Sequence, residues 1–205
     1  MLNRYARAFF ARVMAPLARR LVDAGVSPDV VTLVGTVGVA VGALALYPRG
    51  EFLWGTVVIT CFVFSDMLDG AMARLAGRSG SWGAFLDSSL DRVGDAAVFV
   101  GIALWWAGGG GSLPVATLAL YCLVVGSLIS YVKARAEGLG MTADVGVAER
   151  ADRLVLVLVA TGFSGLLGLP WLQVAALWVL AVAGTVTVGQ RVLLVRRQAL
   201  PSGPR

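Results

Sequence analysis

Apolar residues do not alternate with polar ones along this chain. They come in long runs, each closed by a short cluster of charges, glycine or proline. A helix crosses the hydrocarbon core of a bilayer with about 20 residues, and runs of that order extend over residues 30–47, 52–72, 84–107, 113–132, 154–169 and 171–195. Turn-forming residues part them: Pro48-Arg49-Gly50, the glycines 108–111 with Ser112, and Gly168-Leu169-Pro170. The fifth run is short and interrupted by Gly162 and Gly165. The pattern predicts an all-α integral membrane protein with six transmembrane helices. Residues 26–197 form the six-helix core, within a single domain over residues 1–205.

Ahead of the first run, Phe9, Val13, Leu17 and Leu21 recur at helical spacing, with Arg4, Arg7, Arg12 and Arg19 largely on other faces. That spacing predicts an N-terminal amphipathic helix over residues 1–25, lying on the inner membrane surface. A basic topogenic leader is compatible with the same residues. Arginines interrupt every apolar stretch there, so a cleavable signal is not expected.

Composition sharpens the class. Hydrophobic residues make up 58% and charged residues 14% of the 205, with a mean hydropathy of +0.83. Soluble domains run at roughly 45–50% apolar and about 25% charged. The net charge of +5 first raises the question of nucleic acid, and the placement of the charges answers it. Sixteen of the seventeen basic residues precede the first run, flank the second or fourth connection, or lie at the end of the chain from Arg191 on; only Arg49 does not. The positive-inside rule makes that side cytoplasmic, with both termini inside a multi-pass protein of the cell membrane. Topology accounts for the basic excess, and no nucleic-acid partner is expected. The chain has no histidine and two cysteines, Cys61 and Cys122, both in apolar runs. Zinc sites, histidine-based triads and a disulfide framework are thereby excluded. Trp54, Trp105, Trp106 and Trp171 fall near outer span ends and read as interface anchors.

The chemistry lies in the acids. Asp66 and Asp69 close the second run, while Asp87, Asp91 and Asp95 open the third, so helical spacing puts each set on one face. A short connection brings the two faces together. Carboxylates inside a span cost about 2.5–3.5 kcal/mol each on insertion scales, which marks such a cluster as functional. An all-oxygen set selects a hard divalent ion, Mg²⁺ or Mn²⁺, and four carboxylates suit two metals and phosphoryl transfer. Helix capping, or pairing with Arg74, Arg78 and Arg92, is the plainer alternative. Lys133, Arg135, Arg150, Arg153 and Arg191 are either topological flanks or a binding set for a phosphorylated acceptor.

The segment Asp66-Met-Leu-Asp69-Gly70-Ala-Met-Ala73-Arg74, continued by Gly83, Asp87 and Asp91, resembles the signature of the CDP-alcohol phosphatidyltransferases. Every fixed position of that pattern, D-x2-D-G-x2-A-R-x8-G-x3-D-x3-D, is met. The resemblance implies six transmembrane helices, a homodimer, and two divalent ions held by Asp66, Asp69, Asp87 and Asp91. It also implies a CDP-linked lipid with its pyrophosphate near Gly70 and Arg74, and Asp91 as the general base. Further passages resemble the actinobacterial branch acting on inositol phosphate: Ser27-Pro-Asp29-Val-Val-Thr32, Ser130 to Glu137, Glu149 to Leu154, and Gln190-Arg191. By that resemblance Asp29, Val30, Val31 and Thr32 contact the nucleotide, and Gly80 does so through its backbone. Lys133, Arg153 and Arg191 hold the acceptor's phosphate, with Ser130, Arg135 and Arg150 as weaker candidates.

The expected reaction is transfer of a phosphatidyl group from CDP-diacylglycerol to 1D-myo-inositol 3-phosphate, with release of CMP. A sister enzyme using glycerol 3-phosphate, free inositol or serine shares the metal motif. A small transporter or cation channel with an acidic ring predicts midplane carboxylates and internal repeats, and neither is evident. Asp95, one turn beyond the signature, is expected to orient a neighbour or pair with an arginine rather than bind metal.

Overall fold

The computed structural model describes residues 15–75, 77 and 80–200, and every regular element among them is helical. Residues 15–23 form α1. The longer elements are α2 (Pro28–Leu46), α3 (Phe52–Val63), α4 (Ser65–Leu75), α5 (Ser81–Ala107), α6 (Leu113–Glu137), α7 (Arg150–Leu167) and α8 (Pro170–Ala199). Ser27 caps α2, its hydroxyl accepting from the Val30 N–H at 3.3 Å, and Pro28 occupies the first turn, where its missing N–H costs nothing.

The helices close into a ring. Going round it, α2 packs on α3, α3 on α7, α7 on α8, α8 on α6, α6 on α5, and α5 back on α2. Val39, Ala43, Ile59, Val98, Ile102, Val157 and Leu177 fill the centre. Close approach is built in at Gly101 of α5, where a Cβ would lie 2.6 Å from the Ala43 carbonyl oxygen. The outward faces stay apolar: Val34, Val37, Val41, Trp178, Val179 and Val182 are all exposed, as lipid-facing positions are.

Among the described residues four stretches are long and apolar enough to cross a membrane: Pro28–Arg49, Phe52–Leu75, Leu113–Glu137 and Pro170–Ala199. The expected third and fifth spans correspond to α5 and α7, of which α5 carries Asp91, Arg92 and Asp95, and α7 carries Arg150, Asp152 and Arg153. Those charges lower the hydropathy of both helices, and all but the exposed Asp152 belong to the site described below. Helices also outrun the apolar runs: α6 continues to Glu137 and α7 begins at Arg150, because a helix persists where its sequence turns polar. The second run is broken at Phe64, separating α3 from α4, and the Ser65 hydroxyl turns back to the Phe62 carbonyl at 2.6 Å.

Of the expected amphipathic helix, Phe9 and Val13 lie outside the described residues. Within α1, Ala18 is buried against Ala71 and Met72 of α4, while Leu17, Arg19 and Arg20 are exposed. Trp54 and Trp171 are exposed as expected of interface residues, but Trp106 is not. It is buried, and its indole N–H donates to Gln173 Oε1 at 2.6 Å, while Gln173 donates to Thr161 at 3.0 Å. A polar tip enclosed by protein needs a partner, and this chain of bonds supplies one.

Candidate active site

Two cavities open side by side at the end of the ring where α2 and α5 begin and α4 and α6 end. The first, of about 310 Å³, is bounded by the start of α2 (Asp29 and Thr32), by Asp69 and Gly70 of α4, and by Gly80 and Asp87 at the start of α5. Asp69 is buried and accepts from the Thr32 hydroxyl at 2.5 Å, and Thr32 also donates to the Pro28 carbonyl at 3.1 Å. That pair locks α4 to the first turn of α2. Asp29 accepts from the Trp82 indole N–H at 3.1 Å, joining α2 to α5 across the same opening.

The second cavity, of about 870 Å³, is of opposite character. Arg92, Lys133, Arg150, Arg153 and Arg191 border it against only two carboxylates, Glu137 and Glu149. Arg153 is 5% exposed and its Nη1 has no hydrogen-bond partner, a rare state for a buried charged group. Gly126 on α6 makes room for it, since a Cβ there would lie 3.6 Å from the guanidinium carbon. Arg191 is fixed by two backbone carbonyls, those of Val145 at 2.9 Å and Ile129 at 2.8 Å. Lys133 pairs with Asp144 at 2.5 Å and Glu137 at 3.8 Å. Its hydrogen bond and charge hold the Asp144 carboxyl below the usual carboxylate range.

α5 forms the partition. Ala84 borders both cavities, Asp87 faces the first and its neighbour Ser88 the second. Deeper along α5, Asp91 pairs with Arg150 at 2.8 Å, and Arg150 Nε reaches Asp95 at 3.2 Å. Arg92 lies 3.7 Å from Asp95 and bonds the Ser130 hydroxyl. The expectation that Asp95 pairs with an arginine is met twice over.

The sequence-predicted residues therefore divide. Asp29, Thr32, Asp69, Gly70, Gly80 and Asp87 meet around the first cavity, and Ser130, Lys133, Arg153 and Arg191 around the second. Val30 is half exposed and Val31 packs among α1 and α4, so neither side chain borders the first cavity. Arg74 is exposed beside Gly70 rather than on the cavity wall. Asp66 lies in α4, and its side chain is outside the described residues. Among the described residues no three acidic side chains stand close enough to hold one ion. Asp69 nevertheless lies within electrostatic reach of Asp87 and Asp91 and has no basic partner among the described residues. A buried carboxylate facing two others is costly without a cation, so this all-oxygen set fits a hard divalent metal. Arg92, expected as a pairing partner of the aspartates, lies 3.8 Å from Asp91 and 3.7 Å from Asp95; Trp82 and Asp144 carry no motif signal, and only the fold brings them to the site.

Residues 25–188 match the family described as CDP-alcohol phosphatidyltransferase. A phosphatidylinositol phosphate synthase of Streptomyces avermitilis is 57% identical over 205 residues, covering 97% of this chain and 84% of that protein. The crystal structure of Mycobacterium tuberculosis phosphatidylinositol phosphate synthase with CDP-DAG bound has a TM-score of 0.88 at 42% identity, covering 95% of this chain and 98% of that one. The structure of the same enzyme with manganese and citrate gives 0.86 at 42%, covering 94% and 92%. With the aspartate signature carried on α4 and α5 and the match running through most of the ring, the chain belongs to the CDP-alcohol phosphatidyltransferase family.

Proposed function

We propose that the protein transfers a phosphatidyl group from CDP-diacylglycerol to 1D-myo-inositol 3-phosphate, giving phosphatidylinositol phosphate and CMP. One observation carries this reading: a carboxylate-lined cavity and a cation-lined cavity share a single wall at Ala84. The first suits a pyrophosphate donor brought in through metal, and the second a phosphorylated alcohol brought in through arginine and lysine.

In this reading Asp66, Asp69, Asp87 and Asp91 hold two divalent ions, Mg²⁺ or Mn²⁺. Bound there, such ions neutralise pyrophosphate charge and stabilise CMP as a leaving group. Asp29, Thr32, Gly70 and Gly80 border the nucleotide's place, with Val30 and Val31 contributing backbone and Arg74 waiting at its edge. Lys133, Arg153 and Arg191 clamp the acceptor's phosphate, and Ser130 orients it. Asp91 takes the proton of the acceptor hydroxyl. The acceptor oxygen forms a bond to the phosphorus that carries the diacylglycerol, and the bond from that phosphorus to the CMP oxygen breaks.

The membrane arrangement follows from the same parts. α5 and α7 complete a set of six spans, because each is flanked in the ring by helices that are themselves long and apolar enough to cross. The charged helix ends face the cytoplasm, as do both termini, and α1 continues an amphipathic helix on that surface. The donor's acyl chains then stay in lipid while a water-borne acceptor enters from the cytoplasm. The chain acts as one domain, in a homodimer.

The test is CMP release by purified protein with CDP-diacylglycerol and Mg²⁺, each acceptor offered separately. Release with inositol phosphate alone is expected. Release only with glycerol 3-phosphate overturns the acceptor, and no release with any acceptor overturns the reaction.

A further inference from the structure

The segment joining α6 to α7, residues 138–149, is fastened on both sides of one acidic residue. Upstream, Thr142 exchanges hydrogen bonds with Gln198 of α8: its N–H donates to Oε1 at 3.0 Å, and Nε2 donates to its carbonyl at 2.7 Å. Downstream, the Val147 N–H donates to the Thr187 hydroxyl at 3.2 Å. Gly146 between them adopts φ +144° and lies so close to Thr187 that a Cβ would collide with its methyl group. The backbone around Asp144 is thus set by α8.

What it presents is a carboxylate, 2.5 Å from Lys133 Nζ. The adjacent Val145 carbonyl accepts from Arg191 Nε at 2.9 Å. Two of the cations that border the second cavity are therefore engaged by consecutive residues of one fastened segment. The engagement differs in kind. Arg191 gives N–H bonds to backbone carbonyls, which leave its charge intact, whereas Lys133 faces a full opposite charge. Lys133 is also the accessible member of the set, with its side chain 41% exposed, while Arg153 and Arg191 are buried.

We infer that Asp144 is a built-in counter-anion which competes with the acceptor's phosphate for Lys133 and so sets the affinity for the acceptor. The inference rests on the reading of the cation-lined cavity as the acceptor site. A lysine ammonium is a compact point charge. A phosphate dianion attracts it more strongly than one carboxylate does, so the acceptor displaces Asp144 at a small cost. The pair is solvent-accessible on both sides, and exposed pairs are weak, which limits the effect to about two- to fivefold in affinity.

The experiment measures KM for inositol phosphate and inhibition by inorganic phosphate in wild type, Asp144→Asn, Lys133→Met and the double variant, with thermal unfolding recorded for each. Asp144→Ser serves as the second probe if Asp144→Asn fails to fold. Loss of the counter-anion is expected to lower KM and the inhibition constant by about two- to fivefold. In the Lys133→Met background the same change is expected to have no effect, since the competed cation is gone. An unchanged or raised KM in the Asp144 variants, with Lys133→Met still raising it, overturns the inference alone. So does a lowered KM that persists without Lys133. An unchanged KM in Lys133→Met overturns the acceptor-site reading itself.

Discussion

Arg150 opens α7 and donates to Asp91 of α5 at 2.8 Å while its Nε reaches Asp95 at 3.2 Å. One guanidinium thus bridges the last carboxylate of the signature and the carboxylate one turn beyond it. The planar fork of arginine suits this two-point contact and a lysine's single ammonium does not. If Asp91 accepts the acceptor's proton, its Asn variant keeps the shape and loses the base. Asp91→Asn is expected to lower kcat by about 10²–10⁴-fold with thermal stability and donor binding retained. Turnover near the wild-type rate in the CMP-release assay removes Asp91 from that role.

The bridge itself gives a graded series. Arg150→Lys keeps a charge near Asp91 but cannot hold Asp95 at the same time, and Arg150→Met loses both contacts. Turnover is expected to fall in the order wild type, Lys, Met, with kcat falling more than donor KM rises. Equal loss in both variants means that the fork has no part in orienting Asp91.

The electrostatic reach of Asp69 to Asp87 and Asp91 predicts a response to metal removal that does not depend on turnover. Chelation is expected to abolish CMP release and also to lower the thermal midpoint, with Mg²⁺ or Mn²⁺ restoring both. At a free metal concentration 100-fold above its Kd, binding to the folded state alone adds about 2.7 kcal/mol of stability. An unfolding curve in detergent insensitive to both chelator and metal argues against an ion held by these aspartates.

Much of this was legible in the sequence, for physical reasons that also mark where reading stopped. Span positions follow from apolar runs because a bilayer demands them, and the aspartates were visible because charge is rare in such runs. The break at Phe64 carries no proline or glycine to announce it. Trp106 looked like an interface anchor because sequence places it at a helix end and cannot show Gln173 beneath it. Val30 and Val31 share a passage with Asp29 and Thr32, yet successive helical residues point about 100° apart, so only two of the four side chains border the cavity. Arg92 and Asp144 reach the second site from separate segments, a juxtaposition that only the ring of helices creates.

The spacing of α2 and α5 fixes the first cavity, since α2 carries Thr32 and α5 carries Asp87. A Cβ at Gly101 would lie 2.6 Å from the Ala43 carbonyl oxygen, a backbone atom that cannot rotate away. A Cβ at Gly94, on the same helix, would meet only Val39 Cγ1 at 3.6 Å. Gly101→Ala is therefore expected to destabilise the protein by about 1–3 kcal/mol, as overpacking does, while Gly94→Ala is tolerated. Thermal unfolding of the two variants in one detergent checks the contrast, and equal midpoints would show that α2 and α5 separate without cost.

Arg153 sets function against stability. It is 5% exposed, and its Nη1 has no partner, so in the absence of ligand its enclosure costs the fold more than its contacts return. In the proposed reading an acceptor phosphate supplies what is missing, as a charge-assisted hydrogen bond of about 1.5–3 kcal/mol. Arg153→Met fills the same space without the charge. It is expected to raise KM for inositol phosphate by roughly ten- to hundredfold, and to raise the thermal midpoint of the ligand-free protein at the same time. Weaker acceptor binding together with a more stable ligand-free protein is the signature of a residue kept for binding. If Arg153→Met lowers the midpoint and leaves KM unchanged, the buried cation is there to hold α6, α7 and α8 together, and the acceptor's phosphate must be held elsewhere.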